Sequence, residues 1–223
     1  NGLSWWLIAC LMLAPERTVF WKKWLVVVAV SLNKLIAAPL ALLGLVSGRQ
    51  RRQSIGLLVV GLVAAIMWGK IAQSSFIPFD AYNPAFRQTQ TLNSGVDPAK
   101  QLAYVLEHPF SFVATSAQSF VRALPSLSAH FVGKFGWEKN YLPSGYIALL
   151  WLMLLALLMS EHNPLSLKQR GGMAALLLLY LFTFSLTIYM LWCAVGSKTL
   201  DNWQGRYFVA IAPVAAMAFA QGY

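Results

Sequence analysis

Charge is what this sequence has least of. Only 11% of its 223 residues are Asp, Glu, Lys or Arg, and seven are acidic against seventeen basic. Soluble domains carry about a quarter charged residues, and a chain that is 58% hydrophobic cannot hide its apolar surface in one water-soluble core. Cysteine is scarce too. Cys10 and Cys193 both lie in apolar stretches, which argues against a disulfide or metal site and leaves them as small buried hydrophobes. His108, His130 and His162 have no metal-ligand spacing and read as cap or surface residues. No Walker loop, no G-x-G-x-x-G after a strand, no G-x-S-x-G and no H-E-x-x-H is present, which removes the common nucleotide, hydrolase and metalloprotease readings.

What the sequence has is a series of apolar runs, at 2–14, 25–46, 55–72, 146–159, 173–193 and 208–220. Several approach or exceed the length that crosses a bilayer. The expected fold is all-α, a polytopic transmembrane helical bundle with a mostly helical outer loop. It divides into membrane helices over 1–72, an extracytoplasmic loop over 73–142 and membrane helices over 143–223, one transmembrane domain in all. The chain opens at Asn1 almost inside an apolar run and closes on "AMAFAQGY", so it reads as the C-terminal half of a longer protein. The net charge of +10 reflects topology rather than nucleic acid, because no basic stripe is interleaved with aromatics. Arg17, Lys22, Lys23, Arg49, Arg51, Arg52, Lys168 and Arg170 gather where cytoplasmic loops are expected, placing 73–142 and 194–207 outside.

Both flanks of the 25–46 run are basic, although a single straight span would put them on opposite sides. A bend within "NKLIAAP", residues 33–39, resolves this: helices 24–32 and 37–46 dip in and return, with Lys34 at the bend facing a protected cavity. The alternative is one tilted helix whose Lys34 snorkels. In the outer loop, Asp97 is an N-cap followed by Pro98 at the first helical position, and Pro109 stops that helix. A second helix over 110–124 has Phe110, Val113, Ala117, Phe120, Val121 and Leu124 on one face and Thr115, Ser119 and Arg122 on the other, a pattern suited to the membrane interface, and Pro125 ends it. The return segment "HFVGKFGWEKNYLPS" is rich in aromatics that fit the headgroup layer.

Polar chemistry concentrates in "DNWQGRYF", residues 201–208, at the start of the last apolar run. Arg206 offers a planar fork suited to phosphate, and a helix start favours an anion. Lys34 adds a mobile point charge. A buried cation in a membrane protein usually answers an anionic ligand or a partner acid, so Arg206 either meets such a ligand, pairs with Asp201, or anchors to headgroups.

"DNWQGRYFVAIAPVAAMAF" resembles the QGRYF-plus-proline signature of a family of bacterial polytopic membrane proteins of unknown function. "NGLSWWLIACLM" with the "LNKLIAAP" turn, "DPAKQLAYVLEHPFSF" and "FGWEKNYLPSGYIALLW" resemble its middle, outer loop and following helix. That family in turn is similar to the GT-C glycosyltransferases, enzymes that use sugars carried on polyprenyl phosphate. The resemblance implies a GT-C-like bundle in the bacterial cytoplasmic membrane, with the loop 73–142 extracytoplasmic. Arg206, Tyr207 and Lys34 match the positions near the donor phosphate, although Lys34 and Pro39 are separated here where the family has them adjacent. Asp201, Trp203 and Gln204 are expected to line the same mouth, and Trp137 and Glu138 to contact sugar. The catalytic aspartate of such enzymes lies in the first outer loop, ahead of Asn1, so no catalytic residue is assigned within this chain. The expected partners are a lipid-linked sugar donor, a glycan acceptor building or modifying a cell-envelope polysaccharide, and membrane lipids. No cofactor is implied; a divalent metal assists some such enzymes, but no metal cage is legible. Two other readings use the same cations: a flippase or transporter of an anionic lipid-linked sugar, and a non-catalytic scaffold of a polysaccharide assembly complex.

Overall fold

The structure is a computed structural model and describes residues 5, 8, 20–33, 35–46, 51–74, 95–135, 140–160 and 163–220. Helix α1 (Phe20–Asn33) ends one residue before a 3-10 helix, η1 (Leu35–Leu42), which runs into the short α2 (Leu43–Val46). Helix α3 (Arg51–Ser74) packs along α1 and η1. Helices α4 (Pro98–Glu107) and α5 (Pro109–Val132) follow, then a short antiparallel pair, β1 (Lys134–Phe135) with β2 (Asn140–Tyr141). The chain finishes with α6 (Ser144–Ser160), α7 (Leu167–Trp192), a second 3-10 helix, η2 (Gly205–Ile211), and α8 (Ala212–Phe219). Lys34, which stands between α1 and η1 in sequence, and Trp137 and Glu138, which stand between β1 and β2, lie outside the described residues.

Among the described residues, two helices are long and apolar enough to cross a membrane, Arg52–Ile71 within α3 and Leu167–Trp192. At 1.5 Å per residue, the 26 residues of α7 reach about 39 Å, beyond a hydrocarbon core of roughly 30 Å. Helix α6 buries none of its residues, and Leu149, Leu152, Leu155, Leu157 and Met159 are all exposed. A helix apolar all round with no buried face is at home in lipid, not water. The final segment is shorter, but a 3-10 helix rises about 2.0 Å per residue, so η2 and α8 together reach about 26 Å.

Helix α7 is the central post. Its capping box sets the start: the Ser166 hydroxyl accepts from the Gln169 backbone N–H, and the Gln169 side chain accepts from the Ser166 N–H. This box starts the helix six residues before the apolar run at 173. Met173, Leu176, Tyr180, Phe184 and Ile188 recur at helical spacing and are buried against η1, η2 and α8. The end of α8 returns to the start of α7, where Arg170 Nε donates to the Ala218 carbonyl at 3.0 Å and Asn163 Nδ2 to those of Met217 and Ala220 at 2.8 and 3.1 Å. Carbonyls left unpaired at a helix C-terminus are satisfied in this way. Lys168 and Arg170 therefore stand at one end of α7 and the loop 194–204 at the other.

Two expectations from the sequence need correction. Pro125 does not end the second outer helix; it lies inside α5, which continues to Val132. The proline removes the backbone N–H that would reach the Val121 carbonyl, but packing on both sides of the proline holds the helix. Phe112 meets Phe182 and Tyr189 of α7, while Phe131 stacks on Trp151 of α6, whose indole donates to the Ser128 carbonyl. Helix α5 thus bridges α7, η2 and α6. The buried residues of α5 are Phe112, Ser119 and Leu127, whereas Phe110 (88% exposed), Val113, Val121 and Leu124 of the apolar face read from the sequence are turned outward. Finally, Lys23, assigned to a solvated loop, lies within α1 and is only 1% exposed, because the helix starts at Phe20.

The cap and bounds of α4 follow expectation. Asp97 Oδ1 accepts from the backbone N–H groups of Ala99 and Lys100, both at 3.1 Å, Pro98 occupies the first turn, and the helix ends at Glu107 before Pro109. The Lys100 N–H, with help from the Lys100 ammonium, holds the Asp97 carboxyl below its ordinary value of 3.8. A depressed carboxyl stabilises the fold above its unfolded pKa, and that stability goes as pH falls through the folded pKa. Amide exchange in the first turn of α4 is therefore expected to be independent of pH from neutral down to about 5, after correction for intrinsic rates, and to rise only in stronger acid. In Asp97→Ala the same amides should already exchange fast at neutral pH; slow exchange there would remove the cap from the account.

Candidate functional site

The stretch 199–208 is held on α7 by side chains one turn apart. Phe184 contacts the rings of Trp203, Tyr207 and Phe208 at centroid distances of 5.4, 5.2 and 5.3 Å, and the Tyr180 hydroxyl donates to the Tyr207 carbonyl at 2.9 Å. From the other side Phe120 of α5 meets Trp203 and Phe208, and the Ser119 hydroxyl accepts from the Leu200 N–H at 2.9 Å. Asn202 has a φ of 67°, the left-handed region that asparagine tolerates better than most residues, so the chain turns there.

Gly205 is fixed by a close approach. A Cβ at this position would collide with the Leu127 carbonyl oxygen, lie 2.6 Å from the Phe131 nitrogen and 2.8 Å from the His130 carbonyl carbon. These are backbone atoms of α5 and cannot swing aside, so the helix crosses directly over the glycine of QGRYF.

Three cavities formed by the described residues meet this stretch. The largest is an apolar groove of about 500 Å³ between α5, α6 and the η2–α8 segment, with Gly205, Phe208, Ile211 and Pro213 on one wall and Phe131 and Trp151 on another. A polar cleft of about 430 Å³ lies along a different face of α5. That helix contributes Ser119, Arg122, Ser126 and His130, and the loop contributes Thr199, Asp201, Asn202 and Trp203. A smaller pocket of about 200 Å³ is lined by Tyr207, Asn202, Phe184 and Trp192 together with Ile36 of η1. Ile36, which follows Lys34 by two positions in sequence, is thus the residue of η1 that borders the pocket Tyr207 faces.

The expected site residues divide. Arg206 is exposed, its guanidinium 5.6 Å from the centre of the Tyr207 ring, and among the described residues it forms no ion pair, so the Asp201 partnership does not occur. It lies between the groove and the Tyr207 pocket in sequence but lines none of the three cavities. Asp201 is exposed in the polar cleft. Trp203 is turned inward, packed between Phe120 and Phe184 with its indole donating to the Leu200 carbonyl at 3.0 Å, so it supports the site more than it presents a free face. The Gln204 amide donates to Asn202 Oδ1 at 2.8 Å, and its buried Oε1 has no hydrogen-bond partner among the described residues. Lys34, Trp137 and Glu138 lie outside the described residues.

Sequence reasoning missed Arg122 and His130 as site residues, since each reads as a surface or cap position on its own. Their spacing of eight residues, two turns of one helix face with Ser119 and Ser126, was the available signal. No group of three or more acidic, histidine or cysteine residues able to hold a metal occurs among the described residues.

No curated protein and no solved structure matches the chain. Residues 1–215, nearly the whole sequence, match a family described as "Predicted membrane protein (DUF2142)". With its lipid-length helices and the exposed apolar surface of α6, this chain belongs to the DUF2142 family of predicted membrane proteins.

Proposed function

We propose that this chain is the donor-binding part of a membrane glycosyltransferase of GT-C type, taking sugar from a polyprenyl-phosphate carrier at the outer face of a bacterial cytoplasmic membrane to build or modify a cell-envelope polysaccharide. The observation that supports it best is that one short stretch, 199–208, borders an apolar groove, a polar cleft and an aromatic pocket at once. A carrier lipid asks for such a combination: hydrocarbon on one side, hydroxyl-binding groups on the other, and a cation between.

In this reading the isoprenoid tail lies in the groove along η2 and α8. Arg206 at the start of η2 grips the phosphate with its fork, steadied by the Tyr207 ring, and Lys34 supplies the second cation. During transfer an acceptor hydroxyl forms a bond to the anomeric carbon as the bond from that carbon to the phosphate oxygen breaks. The hydroxyl proton passes to a carboxylate, expected ahead of Asn1, and the cations stabilise the charge growing on the departing phosphate.

Arg206→Ala is expected to reduce photolabelling by a diazirine-bearing polyprenyl phosphate about tenfold to a hundredfold, the worth of one or two charge-assisted hydrogen bonds. Arg206→Lys should recover only part, because the fork is lost. Labelled peptides should map to α5, α6 or η2. Equal labelling of wild type and Arg206→Ala overturns the proposal. Labelling without sugar transfer, but with movement of the lipid between leaflets, would identify a transporter; labelling with neither would identify a scaffold.

A further inference from the structure

We infer that the polar cleft between α5 and the loop 199–203 is a saccharide subsite, and that within the function proposed above it receives the acceptor glycan. The inference rests on that reading only for the word acceptor; the case for a saccharide stands on the cleft.

Helix α5 is a partition. Ser119, Arg122, Ser126 and His130 face the cleft, while Phe120, Leu124, Leu127 and Phe131 face the apolar groove. A lipid in the groove thus leaves the cleft free for a second ligand. The two cavities converge at 203–205, where Trp203 borders one and Gly205 the other. That convergence is what a transfer between two bound molecules requires.

The cleft's chemistry selects among ligands. Its charged groups, Arg122 and Asp201, are one cation and one anion and both are exposed, so neither a phosphate nor a metal ion is favoured. The Thr199 hydroxyl, the Asn202 amide and the Arg122 guanidinium supply donors, and the Asp201 carboxylate and the Ser126 hydroxyl oxygen supply acceptors. Each sugar hydroxyl both donates and accepts, so it needs such a mixed wall. Ala123, Leu200 and Trp203 add apolar contact for the C–H faces of a ring. The volume of about 430 Å³ falls within the range of small-ligand sites. The floor is held still by the Leu200–Ser119 hydrogen bond and by Trp203 wedged between Phe120 and Phe184.

The test is saturation-transfer NMR on the detergent-solubilised protein with a mixture of methyl glucoside, methyl galactoside and methyl mannoside at millimolar concentration. At least one glycoside is expected to receive saturation from the wild type. Signal should fall at least fivefold in Arg122→Ala and in Asp201→Asn, both surface changes that leave the packing intact, and should vanish in Ser126→Trp, which fills the cleft. No transfer in the wild type, or undiminished transfer in Arg122→Ala and Asp201→Asn, overturns the inference. Lipid-probe labelling in the same variants separates the two claims. Saccharide binding without lipid labelling defeats the donor proposal alone, and labelling without saccharide binding defeats this inference alone.

Discussion

Replacing Gly205 with alanine is expected to lower the thermal midpoint of the solubilised protein by roughly 6–12 °C, the equivalent of about 3 kcal/mol in a chain of this size. The cause is steric. The added methyl meets the Leu127 carbonyl and the Phe131 and His130 backbone, so α5 or η2 must shift to admit it. Because α5 carries one wall of both the groove and the cleft, the shift should also damage ligand binding. Gly69 of α3 and Gly171 of α7 are the controls: a Cβ at either position meets nothing within 4 Å. Alanine there should be neutral or stabilising by about 0.5–1 kcal/mol, since a helix interior favours alanine over glycine. A Gly205→Ala protein as stable as these controls would mean that α5 does not pass so close.

Gln101 should give the second large effect. Its side chain is fully buried, and its amide is used at both ends: Nε2 donates to the Tyr189 carbonyl at 3.2 Å and Oε1 accepts from the Gly196 N–H at 2.9 Å. It ties helix α4 to the end of α7 and to the loop that follows. The Tyr189 hydroxyl, donating to the Ser197 carbonyl at 2.8 Å, closes the same clasp. Gln101→Leu keeps most of the volume but strands a carbonyl and an N–H, and leaving buried polar groups unpaired costs about 1–3 kcal/mol each. We expect a loss of about 2–4 kcal/mol and faster amide exchange at Gly196. Gln101→Glu should be no better at neutral pH, because a carboxylate then faces the Tyr189 carbonyl. If Gln101→Leu unfolds at the wild-type temperature with Gly196 still protected, the clasp is not what holds the loop.

Both predictions concern residues that are silent in the sequence. Gln101 is one polar residue on an amphipathic helix, and nothing near it announces a partner 88 or 95 positions away. Gly205 stands in a motif that draws the eye to its arginine, yet the geometric demand falls on the glycine. Pro125 misleads for the opposite reason. Local chemistry predicts a stop, and contacts of α5 with α6 and α7, on either side of the proline, override it.

The legible features were those that depend on local sequence. The lengths of α3, α6 and α7 follow from apolar runs that only lipid can solvate, the Asp97–Pro98 cap follows from backbone donors left free at a helix start, and the concentration of polar groups at 201–206 is visible by inspection. Burial was not legible, because in a membrane protein core and lipid-facing surfaces are equally apolar. Periodicity in α5 therefore marked Phe110, Val113, Val121 and Leu124 as a face without showing that Phe112, Ser119 and Leu127 are the residues turned inward. Nor could the sequence place Arg122 and His130 beside Asp201, since only the packing of α5 across η2 joins segments some eighty residues apart, as the Leu200–Ser119 hydrogen bond records. Composition and spacing determined that this is a helical membrane protein with a polar mouth; tertiary packing alone decided which side chains form it, because convergence of distant segments leaves no local trace.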